Sequence, residues 1–172
     1  MRSLILGGAR SGKSALAERL ATESTREVVY IATAQARDDE MRARIEHHRA
    51  RRPASWTSVQ EPIALAQTLH MHARADRCVL VDCLTLWLSN LLGSDDGARF
   101  ELERETLLAT LPMLPGEIVL VSNEVGLGIV PMGELTRRFV DEAGRLHQAL
   151  AAQCERVVFV AAGLPLVLKG KL

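Results

Sequence analysis

The stretch Leu4-Ile5-Leu6-Gly7-Gly8-Ala9-Arg10-Ser11-Gly12-Lys13-Ser14-Ala15-Leu16 decides how the rest of the chain is read. Three apolar residues make a short strand that ends at a glycine pair. From Ser14 to Glu23, Ala15, Leu16 and Leu20 fall on one side and Glu18, Arg19 and Glu23 on the other, the pattern of an amphipathic helix. Between them, Gly7-Gly8-Ala9-Arg10-Ser11-Gly12-Lys13-Ser14 matches Gly-x-x-x-x-Gly-Lys-[Ser/Thr], the P-loop, in the strand–turn–helix setting that the motif requires. Glycines let the backbone bend so that several N–H groups turn toward one anionic centre. The helix start adds its positive dipole end. Lys13 brings a point charge for the outer phosphates, and Ser14 a hydroxyl placed for Mg2+. The bland alternative is a glycine turn that only redirects the chain. Against it stands the lysine count: three Lys beside eighteen Arg, with Lys13 alone across the first 168 residues. The stretch predicts nucleotide or phosphate binding without naming a reaction.

Outward from the loop, apolar runs alternate with amphipathic ones. Strands are expected at Val28–Ala32, at Cys78–Val81 closing on Asp82, at Ile118–Val121 and at Val157–Ala161, with Leu166–Leu168 as a short edge strand. Helices are expected at Asp38–Arg51, with a thin stripe of Met41 and Ile45, and at Pro62–Ala73, with proline at a tolerated N-terminal position. Leu84–Leu92 reads as a short buried helix, Arg99–Leu111 as an amphipathic one ended by Pro112, and Glu134–Ala152 as a long one. The loop Gly93-Ser94-Asp95-Asp96-Gly97 has the composition of the most flexible segment. Fully apolar strands separated by helices predict an α/β fold, a mainly parallel sheet flanked by helices, of P-loop NTPase type. With no internal repeat, low-complexity tract or linker, residues 1–172 are expected to form a single domain.

Composition narrows the partners. Hydrophobic residues make up 48% and charged residues 24%, which excludes disordered and fibrous classes. Twenty-one Lys+Arg balance twenty-one Asp+Glu, so no nucleic-acid partner is expected, and 3% aromatic residues leave little for base stacking. Cys78, Cys83 and Cys154 are uneven in number and lack Cys-x-x-Cys spacing, fitting reduced thiols. Met1-Arg2 run straight into the first strand, with no targeting segment expected. The apolar run Val157 to Leu168 is broken by Gly163 and Pro165 and is too short to span a bilayer. The expectation is a cytoplasmic protein without membrane insertion.

A P-loop protein usually offers a second acidic group to the metal shell from the end of a neighbouring strand, and Asp82 has that position. Taken alone, it could equally be a strand-end turn. His47-His48 lies in Arg42-Ala43-Arg44-Ile45-Glu46-His47-His48-Arg49-Ala50-Arg51-Arg52-Pro53-Ala54-Ser55-Trp56. This can be a solvated helix whose charges face water. It also joins an imidazole, a potential nucleophile, to Arg49, Arg51 and Arg52, guanidinium groups suited to phosphate oxygens. Adjacent histidines on a helix point about 100° apart, which argues against one shared metal ion. His70, His72 and His147, the last among the polar positions of the final helix, are expected to be structural.

These residues resemble the family of bifunctional adenosylcobinamide kinases / adenosylcobinamide-phosphate guanylyltransferases of cobalamin synthesis. The resemblance runs from Leu4 to about Lys169. It rests on Gly7 to Ser14, Tyr30-Ile31-Ala32-Thr33-Ala34, and Asp38-Asp39-Glu40-Met41 through His47-His48 to Arg52-Pro53-Ala54-Ser55-Trp56. It continues in Val121-Ser122-Asn123-Glu124-Val125-Gly126-Leu127-Gly128-Ile129-Val130-Pro131 and Ala162-Gly163-Leu164-Pro165. The resemblance implies two activities. One phosphorylates the hydroxyl of adenosylcobinamide with ATP or GTP. The other transfers GMP from GTP to adenosylcobinamide phosphate through a covalent histidine, which matches His47, and releases pyrophosphate.

The resemblance further implies that His47 and Lys13 are catalytic and that Ser14 and Asp82 hold Mg2+. Nucleotide contacts are implied at Gly7, Gly8, Ala9, Arg10, Ser11, Gly12, Lys13 and Ser14, at Thr33, Ala34 and Gln35, at His48, Arg49, Ala50 and Arg51, and at Glu61 and Asp82. Members often carry an acidic pair before the proline where this chain has Gln60-Glu61-Pro62. The resemblance does not fix which group takes the hydroxyl proton, and Glu124 is a candidate. A homotrimer is implied. The alternative is a single-activity P-loop small-molecule kinase without a covalent intermediate. A regulatory GTPase is disfavoured because no Asn-Lys-x-Asp segment exists.

Overall fold

The computed structural model describes residues 1–35, 52–94 and 96–172. The expected helix Asp38–Arg51, with His47, His48, Arg49, Ala50 and Arg51, lies outside the described residues, as does Asp95. Strands β1 (Arg2–Gly7), β2 (Glu27–Ala32), β3 (Thr57–Gln60), β4 (Arg77–Asp82), β5 (Glu117–Asn123), β6 (Arg156–Ala161) and β7 (Leu164–Lys169) form a seven-stranded sheet. Its order is β3-β2-β4-β5-β1-β6-β7. Helices α1 (Lys13–Glu23), α2 (Leu65–His72), α3 (Leu84–Leu92), α4 (Gly97–Thr110) and α5 (Glu134–Gln153) connect or cover it.

The long connections return each strand in the same direction, so all pairings are parallel except the last. β1 lies between β5 and β6, with Leu4 opposite both Leu120 and Val157. β7 folds back antiparallel on β6 through the two-residue turn Ala162-Gly163, where φ is 51° and 78°. Positive φ at both positions suits a tight hairpin whose twist follows the strands.

Both faces of the sheet are covered, which explains the uniformly apolar strands. On one face Leu4, Leu6, Val79, Val81, Ile118 and Leu120 meet Leu69 of α2, Trp87 and Leu91 of α3, Leu107 of α4, and Leu146 and Leu150 of α5. On the other, Ile5, Leu80, Val119, Val121 and Val158 meet Leu16, Ala17 and Ala21 of α1. Each fully buried Leu or Ile contributes about 1.5–3 kcal/mol, so the P-loop strand is held from both sides.

The α/β expectation holds, and several boundaries move. β3 is an added edge strand: Thr57-Ser58-Val59-Gln60 has no apolar run, and backbone pairing with Val29–Ala32 supplies what hydrophobicity does not. The second described helix begins at Leu65 rather than Pro62, because the Glu61 carboxylate accepts the amides of Ile63 and Ala64, each at 2.8 Å, and holds a turn there. Gly97, expected in a loop, opens α4, where the Asp96 side chain accepts the Arg99 amide at 3.0 Å. Pro112 sits in a short 3-10 turn, Leu111–Met113, after that helix. The edge strand is longer than its apolar residues suggested. Among the described residues no helix is long and apolar enough to cross a membrane.

Candidate active site at the carboxyl ends of the parallel strands

Parallel strands deliver all their carboxyl ends to one edge of the sheet, where open α/β folds bind ligands. β1 brings the glycine loop there. Gly7 has no room for a side chain, since a Cβ would stand 2.5 Å from both the Ser11 hydroxyl oxygen and the Val160 carbonyl. Arg10 and Gly12 turn the loop with φ of 56° and 96°. At Gly12 a Cβ would also press on Gly163 at 3.1 Å. The Gly163 amide donates to the Ser11 carbonyl at 2.8 Å, so the β6–β7 hairpin braces the loop from behind. That contact gives Ala162-Gly163-Leu164-Pro165 a physical role which its sequence did not reveal.

Lys13 is buried, and its Nζ donates to the Gly8 carbonyl at 3.1 Å, folding the ammonium over the loop. α1 starts at Lys13 with no side-chain cap and no acidic residue in its first turn. Its amide-bearing end is therefore left to an anion, the arrangement that favours phosphate. Ser14 lies in this first turn.

Asp82 ends β4, two residues beyond Leu80, and so faces the α1 side of the sheet. Tyr30 lies on the same side, near enough for the Asp82 charge to act on its hydroxyl. Burial, followed by the negative charge of Asp82, pushes the phenol well above its ordinary range, so it stays neutral. The Arg52 guanidinium lies over the Tyr30 ring at 3.3 Å from the centroid. Trp56 packs against the core on this face, after a turn closed by its amide on the Pro53 carbonyl. Thus the residues following the histidine segment are anchored on the face that carries the P-loop.

Cys83 follows Asp82 through a cis peptide bond. Burial and then the charge of Asp82 raise the Cys83 thiol, partly offset by its hydrogen bond to Thr85. Burial likewise pushes Cys78 up to about 11 and Cys154 up to about 12, leaving three unpaired, protonated thiols.

The remaining expected contacts lie at the end of β2. Thr33 is fully buried and its hydroxyl donates to the Cys83 carbonyl at 2.7 Å and accepts the Cys83 amide at 3.0 Å. It supports the backbone beside Asp82. Asn90 donates to the Thr33 and Pro62 carbonyls, at 2.8 and 3.1 Å, tying two loops together. Gln60 donates to the Ala34 carbonyl at 3.0 Å, and the Glu61 amide reaches Ala32 at 2.9 Å, so Thr33, Ala34, Gln35 and Glu61 share this edge. Glu61 has one carboxylate oxygen committed to the turn before α2.

The end of β5 adds Asn123 and places Glu124, the candidate acceptor of the hydroxyl proton. Asn123 pairs with Gly7 and donates its amide to the Thr85 hydroxyl at 3.2 Å. The Glu124 amide donates to the Gly7 carbonyl at 3.0 Å, fixing this acid beside the start of the P-loop. His147, expected to be structural among the polar positions of the last helix, is buried on α5 against the same strand end.

The Ser14 hydroxyl and Asp82 carboxylate are hard oxygen donors, fitting Mg2+, which takes few protein ligands and the rest from phosphate and water. No set of three or more His, Cys, Asp or Glu side chains gathers as a metal cage among the described residues.

Residues 3–168 match a family described as cobinamide kinase / cobinamide phosphate guanyltransferase. The chain is similar to the bifunctional adenosylcobalamin biosynthesis protein CobP of Pseudomonas aeruginosa, 67% identical over 171 residues, 99% of each chain. It is also similar to the bifunctional adenosylcobalamin biosynthesis protein CobU of Escherichia coli, 42% identical over 182 residues covering 98% of this chain and 100% of that protein. Among solved structures, the RadB recombinase aligns with a TM-score of 0.54 at 15% identity, over 92% of this chain and 73% of that one. That likeness concerns the fold alone, which is of P-loop NTPase type. With the glycine loop and its acidic neighbour in place and the match running through nearly the whole chain, the protein belongs to the cobinamide kinase / cobinamide phosphate guanyltransferase family.

Proposed function

We propose that the chain phosphorylates adenosylcobinamide with ATP or GTP and then transfers GMP from GTP to adenosylcobinamide phosphate, with His47 as the covalent carrier. The observation that carries this reading is the family match over residues 3–168 on a chain that keeps an intact P-loop. Bound Mg2+, held by Ser14 and Asp82, would supply charge neutralisation at the phosphates. Gly7 to Ser14 hold the phosphate tail with backbone amides, and Lys13 balances its charge. Thr33, Ala34, Gln35 and Glu61 frame the nucleotide at the end of β2, while His48, Arg49, Ala50 and Arg51 accompany the carrier.

In the transfer step a neutral His47 nitrogen attacks the α-phosphorus of GTP. An N–P bond forms, the bond to the departing oxygen breaks, and pyrophosphate leaves with the electron pair. The substrate phosphate then displaces histidine from the GMP. Two steps suit this pair of reactants, because an anionic acceptor meeting the intact triphosphate would face strong repulsion. Two features support reach between carrier and loop: Gln35 follows β2 at the site edge, and Arg52 is stacked on Tyr30, which lies on the same face as Asp82.

The neutral charge balance fits a small-molecule substrate rather than nucleic acid, and three unpaired thiols fit the cytoplasm. Exposed Leu164, Leu166 and Leu168 on β7, with Leu127, Ile129 and Met132 in the loop after β5, support assembly into the homotrimer implied by the resemblance.

GTP labelled in its α-phosphate tests the carrier. Acid-labile, base-stable label on the protein, lost in His47→Ala and kept in His48→Ala, is the expected result. No label at all leaves only a kinase.

A further inference from the structure

His147 occupies a position where helix chemistry calls for an apolar side chain. α5 turns Ala143, Leu146 and Leu150 into the core, and His147 is buried beside them at 6% exposure. An imidazole is costly to place there unless its nitrogens are used. Its Nε2 lies 2.7 Å from the hydroxyl of Ser122, itself fully buried. Its Nδ1 has no hydrogen-bond partner and faces Glu124 Oε2 at 3.6 Å, just beyond hydrogen-bond length.

Glu124 is held on its other side. Oε1 accepts the Gly126 amide at 2.6 Å, and the Glu124 backbone amide is fixed to Gly7. Gly126 also lines a cleft of about 210 Å³, shared with Val125, Ile129, Pro131, Arg137 and Val140. One carboxylate therefore stands between the start of the phosphate loop and an open cleft of mixed lining, apolar at Val125, Ile129 and Val140 and charged at Arg137 and Asp141, with a buried imidazole behind it. Among the described residues no imidazole stands behind Asp82 in this way, and the Tyr30 phenol near it stays protonated.

We propose that Glu124 accepts the proton of the acceptor hydroxyl in the phosphorylation step, and that His147 is the positioning residue that holds this carboxylate in place. The inference rests on the kinase half of the reading above. In the step, the acceptor O–H bond breaks as its oxygen bonds to the γ-phosphorus. The bond from that phosphorus to the nucleoside diphosphate breaks, the diphosphate leaves with the electron pair, and the proton passes to Glu124. The imidazole acts neutral: burial lowers its affinity for a proton, although Glu124, the charged group facing it, works in the opposite sense. With its hydrogen on Nδ1, the ring accepts from Ser122 at Nε2 and directs a donor at Oε2. Closing the gap to about 3 Å completes that bond and stabilises the carboxylate in its proton-accepting form. The large acceptor lies along the cleft, with its hydroxyl arm toward Glu124.

The test measures kcat and KM for adenosylcobinamide phosphorylation by the full chain carrying Glu124→Gln, His147→Leu, His147→Asn, or Glu124→Gln together with His147→Leu. Glu124→Gln should lower kcat about 100-fold or more, with nucleotide KM moved less than about threefold. His147→Leu should lower kcat about tenfold, and His147→Asn, which restores a donor, should recover most of that loss. Because His147 acts through Glu124, the double variant should be no slower than Glu124→Gln alone. A Glu124→Gln protein within about threefold of wild type overturns the proton acceptor. Multiplying losses in the double variant, or no recovery with Asn, overturns the positioning role. A wild-type chain that phosphorylates no adenosylcobinamide overturns the kinase reading and this inference with it.

Discussion

Asp82 and Glu124 are two acids at the ends of adjacent parallel strands, β4 and β5, yet they face opposite sides of the sheet and meet opposite chemistry. Asp82 looks toward α1, whose first turn carries Lys13 and Ser14, and shares that face with the buried phenol of Tyr30. Glu124 looks toward α5 and a buried imidazole. The phenol stays protonated, whereas the imidazole is a neutral ring able to hold a carboxylate in position. Strand position brings each acid to one edge of the sheet, and a different helix covers each face. The proposed roles follow that division: Asp82 as a fixed charge beside phosphate, Glu124 as the proton acceptor.

The strongest way to break this contrast is to remove the charge that both reactions share. Lys13→Ala should lower phosphorylation and protein guanylylation alike by about 100- to 1,000-fold, measured by initial rates with each nucleotide. Asp82→Asn should follow the same pattern, with similar factors in the two assays. In Glu124→Gln the phosphorylation loss should exceed the guanylylation loss by at least about tenfold. Equal losses there would erase the distinction between the two acids.

Tyr30→Phe sharpens the same comparison from the anchoring side. Removing the buried hydroxyl that neighbours Asp82 should cost about 1 kcal/mol of stability in a denaturant titration and slow both reactions a few-fold. A rate change confined to one reaction would assign Asp82 a narrower role than metal and phosphate support.

The smallest effect concerns pH. His147 is buried with its affinity for a proton lowered, so the unfolded chain binds the proton more readily than the folded one. The neutral ring is therefore tolerated above the ordinary histidine value of 6.5, and stability is lost as pH falls below it. Thermal unfolding of wild type should drop more steeply between about pH 7 and 5 than that of His147→Leu. The other histidines are common to both proteins, so parallel curves would show that His147 titrates alike in folded and unfolded chains.

The same two regions show what a sequence can and cannot disclose. Gly7 to Ser14 were legible because every requirement of a phosphate cradle is local: a strand before, a helix after, and glycines at the turns. Asp82 was legible as an acid closing an apolar run. Gly163 was not, because its importance is a 2.8 Å bond to Ser11 across the sheet, invisible in a hairpin that is itself merely apolar. The partners of His147 were hidden for a related reason. Helical periodicity places it near polar neighbours, and only the packing of α5 on β5 shows that Ser122 and Glu124 await it. β3 escaped notice because a four-residue polar edge strand is defined by its partner rather than by its composition. His47 was singled out by its arginine-rich surroundings and by resemblance, and it lies outside the described residues.

The central claim is that one chain both phosphorylates an alcohol and carries GMP on a histidine. Intact-mass measurement of the full protein after incubation with GTP, Mg2+ and a pyrophosphatase tests the carrier most directly. The account predicts a gain of one GMP per chain, localised to the peptide containing His47 and discharged on adding adenosylcobinamide phosphate. An unmodified mass under conditions where adenosylcobinamide phosphate is still converted, or an adduct on another residue, would contradict it.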